Sequence, residues 1–387
     1  MDQPQYSSLA ACLKDVPDPR AARGQRYPWF VLLLTLAAAL LSGQLHGRVI
    51  AQWAAEHSAE IVQALAVSLP RMPCASTFRR VLQLIDPVVL EERLARYAQA
   101  RDGEDPLSGS VQGPDGKVLR GQALDGKEVR GAGAHGAKVH LLSLVRHESG
   151  TVLAQQEVES KTNEIGAAPG LLAQQDLRGT VVTCDALLTQ REIARQIREQ
   201  GGDYLMVVKD NQPTLHQNLA TFFQEVGFPQ GEDDRQTYIE HDKGHGRLET
   251  RTVTCSALIV PYLDWPGVQQ VVMRRCERVQ SKTGEKSERV SYAVTSLSRA
   301  RAGAEHLARW WRGQWTIENR AHYVRDETLR EDRCQIHRGH APQVLAGLKN
   351  GLLNALRDQG WTNIADALRY YGASVQRAFA FLYQNAT

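Results

Sequence analysis

Thr180-Val-Val-Thr-Cys-Asp185, followed by the stretch Thr189–Gln200 and then Tyr204-Leu-Met-Val-Val208, decides the fold. The first run is short and β-branched and is entered from Arg178-Gly179, which suits a strand buried on both faces. Thr189–Gln200 has the period of an amphipathic helix, and Thr189 with Glu192 reads as a capping box. Tyr204–Val208 is a second short buried strand. Strand, helix and strand at this spacing imply a right-handed parallel βαβ unit. Asp185 closes the first of these strands. An aspartate at the carboxyl end of a buried strand is unusual in a core and usual at a site. It equally suits a turn or cap before Thr189, and the two readings stand side by side.

Working outward, Val139–Val145 and Thr151–Val158 are strand candidates separated by Glu148-Ser-Gly, which reads as a hairpin. Glu164–Gln175 reads as a helix. Between residues 234 and 296, Tyr238–His241, Leu248–Val260, Val268–Cys276 and Arg289–Thr295 alternate or are β-branched. Turn signals at Lys243–Gly246 and Thr283-Gly284 separate them, as in an antiparallel β insertion. Residues 1–101 are helical in texture, with Phe30–Leu41, Val49–Glu60, Ser76–Leu84 and Val88–Ala98 as the periodic runs. Residues 102–114 hold Gly, Asp, Pro and Ser and read as a linker. Helical texture returns from Ser298. The class is therefore α/β, with a helical region on the N-terminal side.

The 387 residues suit two or three folded units of ~150 residues each. Hydrophobic residues are 42% and charged residues 23%, enough for a sizeable core, so disorder and a coiled-coil rod are poor fits. The formal net charge of +3 means that a nucleic-acid partner needs a local basic patch. No two of the six cysteines sit at metal-ligand spacing, which argues against zinc and suits a reducing compartment. Phe30–Leu41 is shorter than the ~20 residues that cross a bilayer. It also follows a stretch rich in Arg, Asp and Pro, unlike a signal peptide. A buried core helix and a cytoplasmic location are expected, with no membrane partner.

Two more acids stand out. Asp125 follows Gln122-Ala-Leu and opens a Gly-Lys turn, and Glu318 lies on a helix in Trp315-Thr-Ile-Glu-Asn. Asp125-Gly-Lys is followed in order by His140-Leu-Leu-Ser-Leu, Lys161-Thr-Asn-Glu-Ile, Val182-Thr-Cys-Asp-Ala, Lys209-Asp-Asn-Gln, His245-Gly-Arg-Leu-Glu-Thr-Arg and Trp315-Thr-Ile-Glu-Asn. Taken together, these motifs closely resemble insertion-sequence transposases of the ISAs-one type, also called H-repeat-associated proteins, in the DDE superfamily. Val16-Pro-Asp-Pro-Arg and Thr77-Phe-Arg-Arg resemble the helical region that precedes the catalytic domain there, so the likeness covers nearly the whole chain.

The resemblance implies a ribonuclease-H-like catalytic domain in two parts, 115–233 and 297–387. The β insertion 234–296 divides them, and a helical domain at 1–101 precedes them for DNA-end binding or dimerisation. It implies Asp125, Asp185 and Glu318 as catalytic and metal-ligating residues. Two Mg²⁺ ions, with Mn²⁺ as a substitute, would serve cleavage by metal-activated water and transfer of 3′ ends. The chemistry suits the residue types. Paired ions can stabilise the attacking and leaving oxygens of a phosphodiester, Mg²⁺ prefers carboxylate oxygen, and clustered carboxylates repel without a cation. The implied partner is double-stranded DNA, as terminal repeats and target, bound by a homodimer in the bacterial nucleoid. A domesticated nuclease and a DNA-binding regulator that no longer transposes are the alternatives.

Asp115 offers the same Asp-Gly-Lys context ten residues before Asp125. Asp125 is preferred because the family's motif runs shortly into a His-Leu strand. Gln314 departs from the family, which usually carries a basic or His residue four positions before the Glu; Arg312 could compensate for a lost phosphate contact. Lys161, Lys209, Arg312, His322 and Arg325 are the candidate DNA contacts. His322 and Arg325 share the Glu318 face of the helix by spacing, with Ile317, Ala321 and Val324 on the core side. Lys161 and Lys209 equally suit ordinary strand ends; for Arg325 phosphate contact is preferred over a solvated pair with Asp326 or Glu327. Core packing is the default for Trp310, Trp311 and Trp315, with base stacking as the other use. The catalytic sheet is expected not to need the helices of residues 1–100.

Overall fold

The computed structural model describes residues 6–23, 25–102, 111–130, 139–158, 163–224, 234–244, 246–334 and 336–384. Its strands, in chain order, are β1 (Val111–Gln112), β2 (Val118–Val129), β3 (Val139–Arg146), β4 (Val152–Val158), β5 (Thr180–Cys184), β6 (Asp203–Val208), β7 (Gln236–Gly244), β8 (Arg247–Ser256), β9 (Gln270–Gln280) and β10 (Lys286–Thr295). They form one sheet in the order β4-β3-β2-β5-β6-β10-β9-β8-β7, with β1 beside β2. β2–β5 and β5–β6 are parallel, and the other pairs are antiparallel. The β-branched run of β5 is buried throughout, as its place between two neighbours requires. The expected β insertion continues the same sheet, because β10 pairs with β6.

Three local expectations are corrected. Gly126-Lys127 is no turn: Asp125 lies inside the twelve-residue β2, paired with Ser143 across β3. Thr189 and Glu192 form no capping box. The helix runs Arg191–Glu199 with Gln190 at its N-cap, and the buried Thr189 hydroxyl instead reaches the carbonyls of Asp185 (2.9 Å) and Val207 (2.6 Å). The expected linker contributes strand β1, whose pairing with β2 satisfies backbone groups that a free linker would leave to water.

The Trp29–Leu41 helix is buried at every position except Phe30, so it is apolar all round and enclosed by protein. Its surroundings come from both ends of the chain. The helices between Leu9 and Asp102 share one apolar core with Ala341–Asp358, Ile364–Gly372 and Val375–Tyr383. This core crosses the border expected near residue 101. It also covers the free edge of β4: Asn354 donates to the Val152 carbonyl and accepts from its N–H, both at 2.9 Å. A covered edge cannot recruit a further strand. Among the described residues, no helix is long and apolar enough to cross a membrane.

Candidate active site

Strand register sets the first two acids side by side. The parallel β2–β5 ladder ends with Leu124 opposite Cys184; Asp125 follows within β2 and Asp185 follows directly after β5. Asp185 Oδ1 also accepts from Leu188 N–H at 3.1 Å, so the carboxylate caps the turn that leads toward Thr189. The third acid comes from Ile317–His322, a helix segment with widened π turns, a distortion frequent at functional sites. Ligand atoms of Asp125, Glu318 and His322 all lie within 4.8 Å of one another. Asp185 is outside that tightest group but acts on it electrostatically.

The charges are set by this crowding. Burial and then the neighbouring Asp185 charge push the Asp125 carboxyl up to about 7, with Glu164 and Glu318 adding to the effect against a 2.9 Å hydrogen bond from Gly126 N–H. Such a cluster favours a bound cation. Glu318, half exposed, moves the other way, chiefly through its hydrogen bond with His322 and against partial desolvation. Burial holds His322 below its ordinary range. A neutral ring that donates from Nδ1 to Glu318 Oε2 (3.1 Å) keeps its lone pair on Nε2, and that buried nitrogen has no hydrogen-bond partner among the described residues. Carboxylate oxygens with one imidazole nitrogen fit a divalent ion.

Comparison with known proteins gives the family. The family profile described as Transposase DDE domain matches residues 116–355, and one described as DDE_Tnp_1-associated matches 10–98. The chain belongs to the transposase DDE-domain family. It is 32% identical to "Putative transposase YncI" of Escherichia coli O157:H7, covering 74% of this chain and 71% of that one. It is 31% identical to "H repeat-associated putative transposase YhhI" of Escherichia coli K12 (74% and 73%). It is 29% identical to "Putative protein YbfL" of the same strain, over 91% of each. The protein is a DDE transposase, a DNA-cleaving enzyme of a family that depends on divalent metal.

The transposase carries residues near this cluster that sequence reasoning missed. Glu164 is buried at the start of the Glu164–Ala173 helix, against Gly126, where any Cβ would overlap its carboxylate. The glycine directly after Asp125 was the available signal. Lys127, also buried, pairs with Asp326 at 2.5 Å and helps lower Glu318.

The expected DNA contacts divide. Lys161 lies outside the described residues. Lys209 is exposed just after β6. Arg312 is exposed and bridges Glu240 and, at 3.4 Å, Asp242. Two expectations are corrected. His322 is 3% exposed and bonded to Glu318, so it belongs to the carboxylate cluster and does not reach outward to DNA. Arg325 is 1% exposed and forked on Glu331, with its third nitrogen on Gln155 at 2.8 Å, so its charge is spent inside the protein. Trp310 and Trp311 are core, whereas Trp315 is 58% exposed.

Trp315 opens onto a groove of about 670 Å³ between the β7–β10 strands and the helix that leads to Glu318. Arg251, Arg274, Arg278, Arg289, Arg309 and Arg312 line it, against Glu240 and Glu249 as its acidic liners. This concentration is a local basic surface on a chain whose formal net charge is only +3.

Proposed function

We propose that Asp125, Asp185 and Glu318 are the catalytic carboxylates of a ribonuclease-H-like unit. They cut the ends of an insertion sequence and transfer the 3′ ends to target DNA. The observation that carries this is that Asp125 and Asp185 each directly follow the last pair of the parallel β2–β5 ladder, with Glu318 brought within 4.8 Å of Asp125. Support for the fold type is the order β4-β3-β2-β5-β6, an antiparallel meander followed by two parallel strands. In this reading residues 115–233 and 297–340 form the catalytic unit around the β insertion 234–296. The helices of 1–101 combine with those after Ala341 in a body for end binding or dimerisation.

The three carboxylates, with His322 Nε2, would hold two Mg²⁺ ions, or Mn²⁺ in their place. Bound there, such ions supply positive charge to the attacking and leaving oxygens of the phosphodiester. The chain's own part is geometric. The sheet fixes Asp125 and Asp185, His322 orients Glu318, and Lys127, paired with Asp326, adds a positive charge that lowers Glu318. The groove arginines, Arg312 among them, bind the phosphates of double-stranded DNA, and Lys209 extends this surface past β6. Trp315 offers an aromatic face to a base at the groove mouth. A homodimer on paired ends, working in the cytoplasm at the nucleoid, completes the proposal.

The test is strand nicking of end DNA with Mg²⁺. Asp125→Asn, Asp185→Asn and Glu318→Gln should each abolish nicking while duplex binding persists. Nicking by Asp125→Asn at the normal rate, with loss in Asp115→Asn, would move the first carboxylate to the β1–β2 turn.

A further inference from the structure

Gln314 lies four residues before Glu318 and aims inward. Its Oε1 accepts from the Thr183 hydroxyl, and its Nε2 donates to the Leu124 carbonyl at 3.2 Å. Thr183 is on β5, two residues before Asp185; Leu124 is on β2, directly before Asp125. One carboxamide therefore touches both aspartate strands from the segment that carries the glutamate. The donors fix its orientation, because a flipped amide would set Oε1 against the Leu124 carbonyl.

The contact continues inward. His147 Nε2 lies 2.9 Å from Thr183 Oγ1. The Thr183 hydroxyl also lies 3.3 Å from the Gln122 carbonyl, but Gln314 Oε1 is the nearer acceptor for its one hydrogen, so His147 donates from Nε2. Burial pushes the ring down to about 3, so it stays neutral. The ring is wedged between Gly121 on β2 and Gly313 beside Gln314, and a Cβ on either glycine would overlap it. Both glycines therefore leave room for the imidazole that orients Thr183.

We infer that Gln314 is a positioning residue: its bridge to Thr183 and Leu124 sets the spacing of Glu318 from Asp125 and Asp185. The bridge rests on the carboxylate assignment above and gives Gln314 a task distinct from phosphate contact. Removing groups that hold a metal-binding side chain in place typically costs 10–100-fold in metal affinity or activity.

The experiment uses the full chain with Gln314→Leu and Thr183→Val. Mn²⁺ affinity is measured by electron paramagnetic resonance without DNA. Cleavage against metal concentration, duplex affinity and melting are measured alongside. In both variants Mn²⁺ affinity should fall roughly tenfold or more, cleavage should need correspondingly more metal, and duplex affinity should hold. The double variant should lose little beyond either single one, since both break the same bridge. Wild-type Mn²⁺ affinity in a folded Gln314→Leu or Thr183→Val protein overturns the inference. So does lost duplex affinity at unchanged metal affinity, which would make Gln314 a phosphate contact. Unfolding of both variants overturns it too, by making the bridge a support of the fold at large. If the wild type binds Mn²⁺ but cuts no DNA, the proposed function fails while the Mn²⁺ comparison still decides Gln314.

Discussion

Replacing Arg325 with Met separates a buried structural charge from a DNA contact. Arg325 reaches Glu331 through Nε at 3.0 and 3.1 Å and through Nη2 at 2.6 Å, and it donates to Gln155 at 2.8 Å. The two charged side chains are 1% and 3% exposed. After Arg325→Met, the Glu331 carboxylate keeps only the Lys349 ammonium, 3.7 Å away, as an ion-pair partner among the described residues. Stranding one member of a buried pair costs about 3–5 kcal/mol, a large share of the ~5–15 kcal/mol that holds a domain folded. Urea unfolding at neutral pH should show this loss, and added salt should leave it nearly intact because buried pairs are poorly screened. Arg325→Lys should recover only part, since an ammonium cannot reproduce the fork. The pH dependence has a definite sign. Burial would raise the Glu331 carboxyl, but the Arg325 and Lys349 charges outweigh it and bring the group down to about 2. Its stabilisation is therefore present above about 4.5 and is lost as pH falls toward 2. The deficit of the variant should shrink over that window. An unchanged urea midpoint together with weaker, salt-sensitive DNA binding would refute the reasoning and return Arg325 to the phosphates.

Glu91, whose buried carboxyl is pushed up to about 8, keeps its proton in the folded state while the unfolded chain releases it. Wild-type stability should therefore fall as pH rises from about 4.5 to 8, and Glu91→Gln should flatten that slope in melting curves. Arg289→Ala with Arg309→Ala in the groove should each reduce the slope of log affinity against log salt by about 0.9; an unchanged slope would take DNA out of the groove. Deleting residues 1–100 should abolish cooperative unfolding, because Leu94 and Glu91 pack on Gly347 and Gly351 of the helix that covers β4. A truncated chain with a sharp melt would show that the sheet stands without them.

What could be read from the sequence was local periodicity and motif order. The run Thr180–Cys184, the helix after it and Asp203–Val208 follow from β-branching and a helical period, and Asp185 follows from its place at a strand end. What misled was local chemistry overruled from a distance. Gly126-Lys127 has turn composition, yet the glycine is in a strand because Glu164 needs the room. Thr189 has cap chemistry, yet its hydroxyl ties the Asp185 turn to β6. Counting helix faces put His322 and Arg325 outside, but Arg330 adopts a left-handed backbone conformation and the chain doubles back there, bringing Glu331 under Arg325.

The same contrast explains why three acids could be proposed from the sequence while their geometry could not. Chain order records which residues a site needs. Their separation depends on contacts such as Gln314 with Thr183, 131 positions apart. A departure from the family's basic residue reads in one dimension as a lost phosphate contact. In three dimensions the amide meets a donor on one aspartate strand and an acceptor on the other, a pairing that a guanidinium, which only donates, could not make with both. In the inferred role Gln314 therefore faces the scaffold, and phosphate contact falls to the groove arginines of the proposed function.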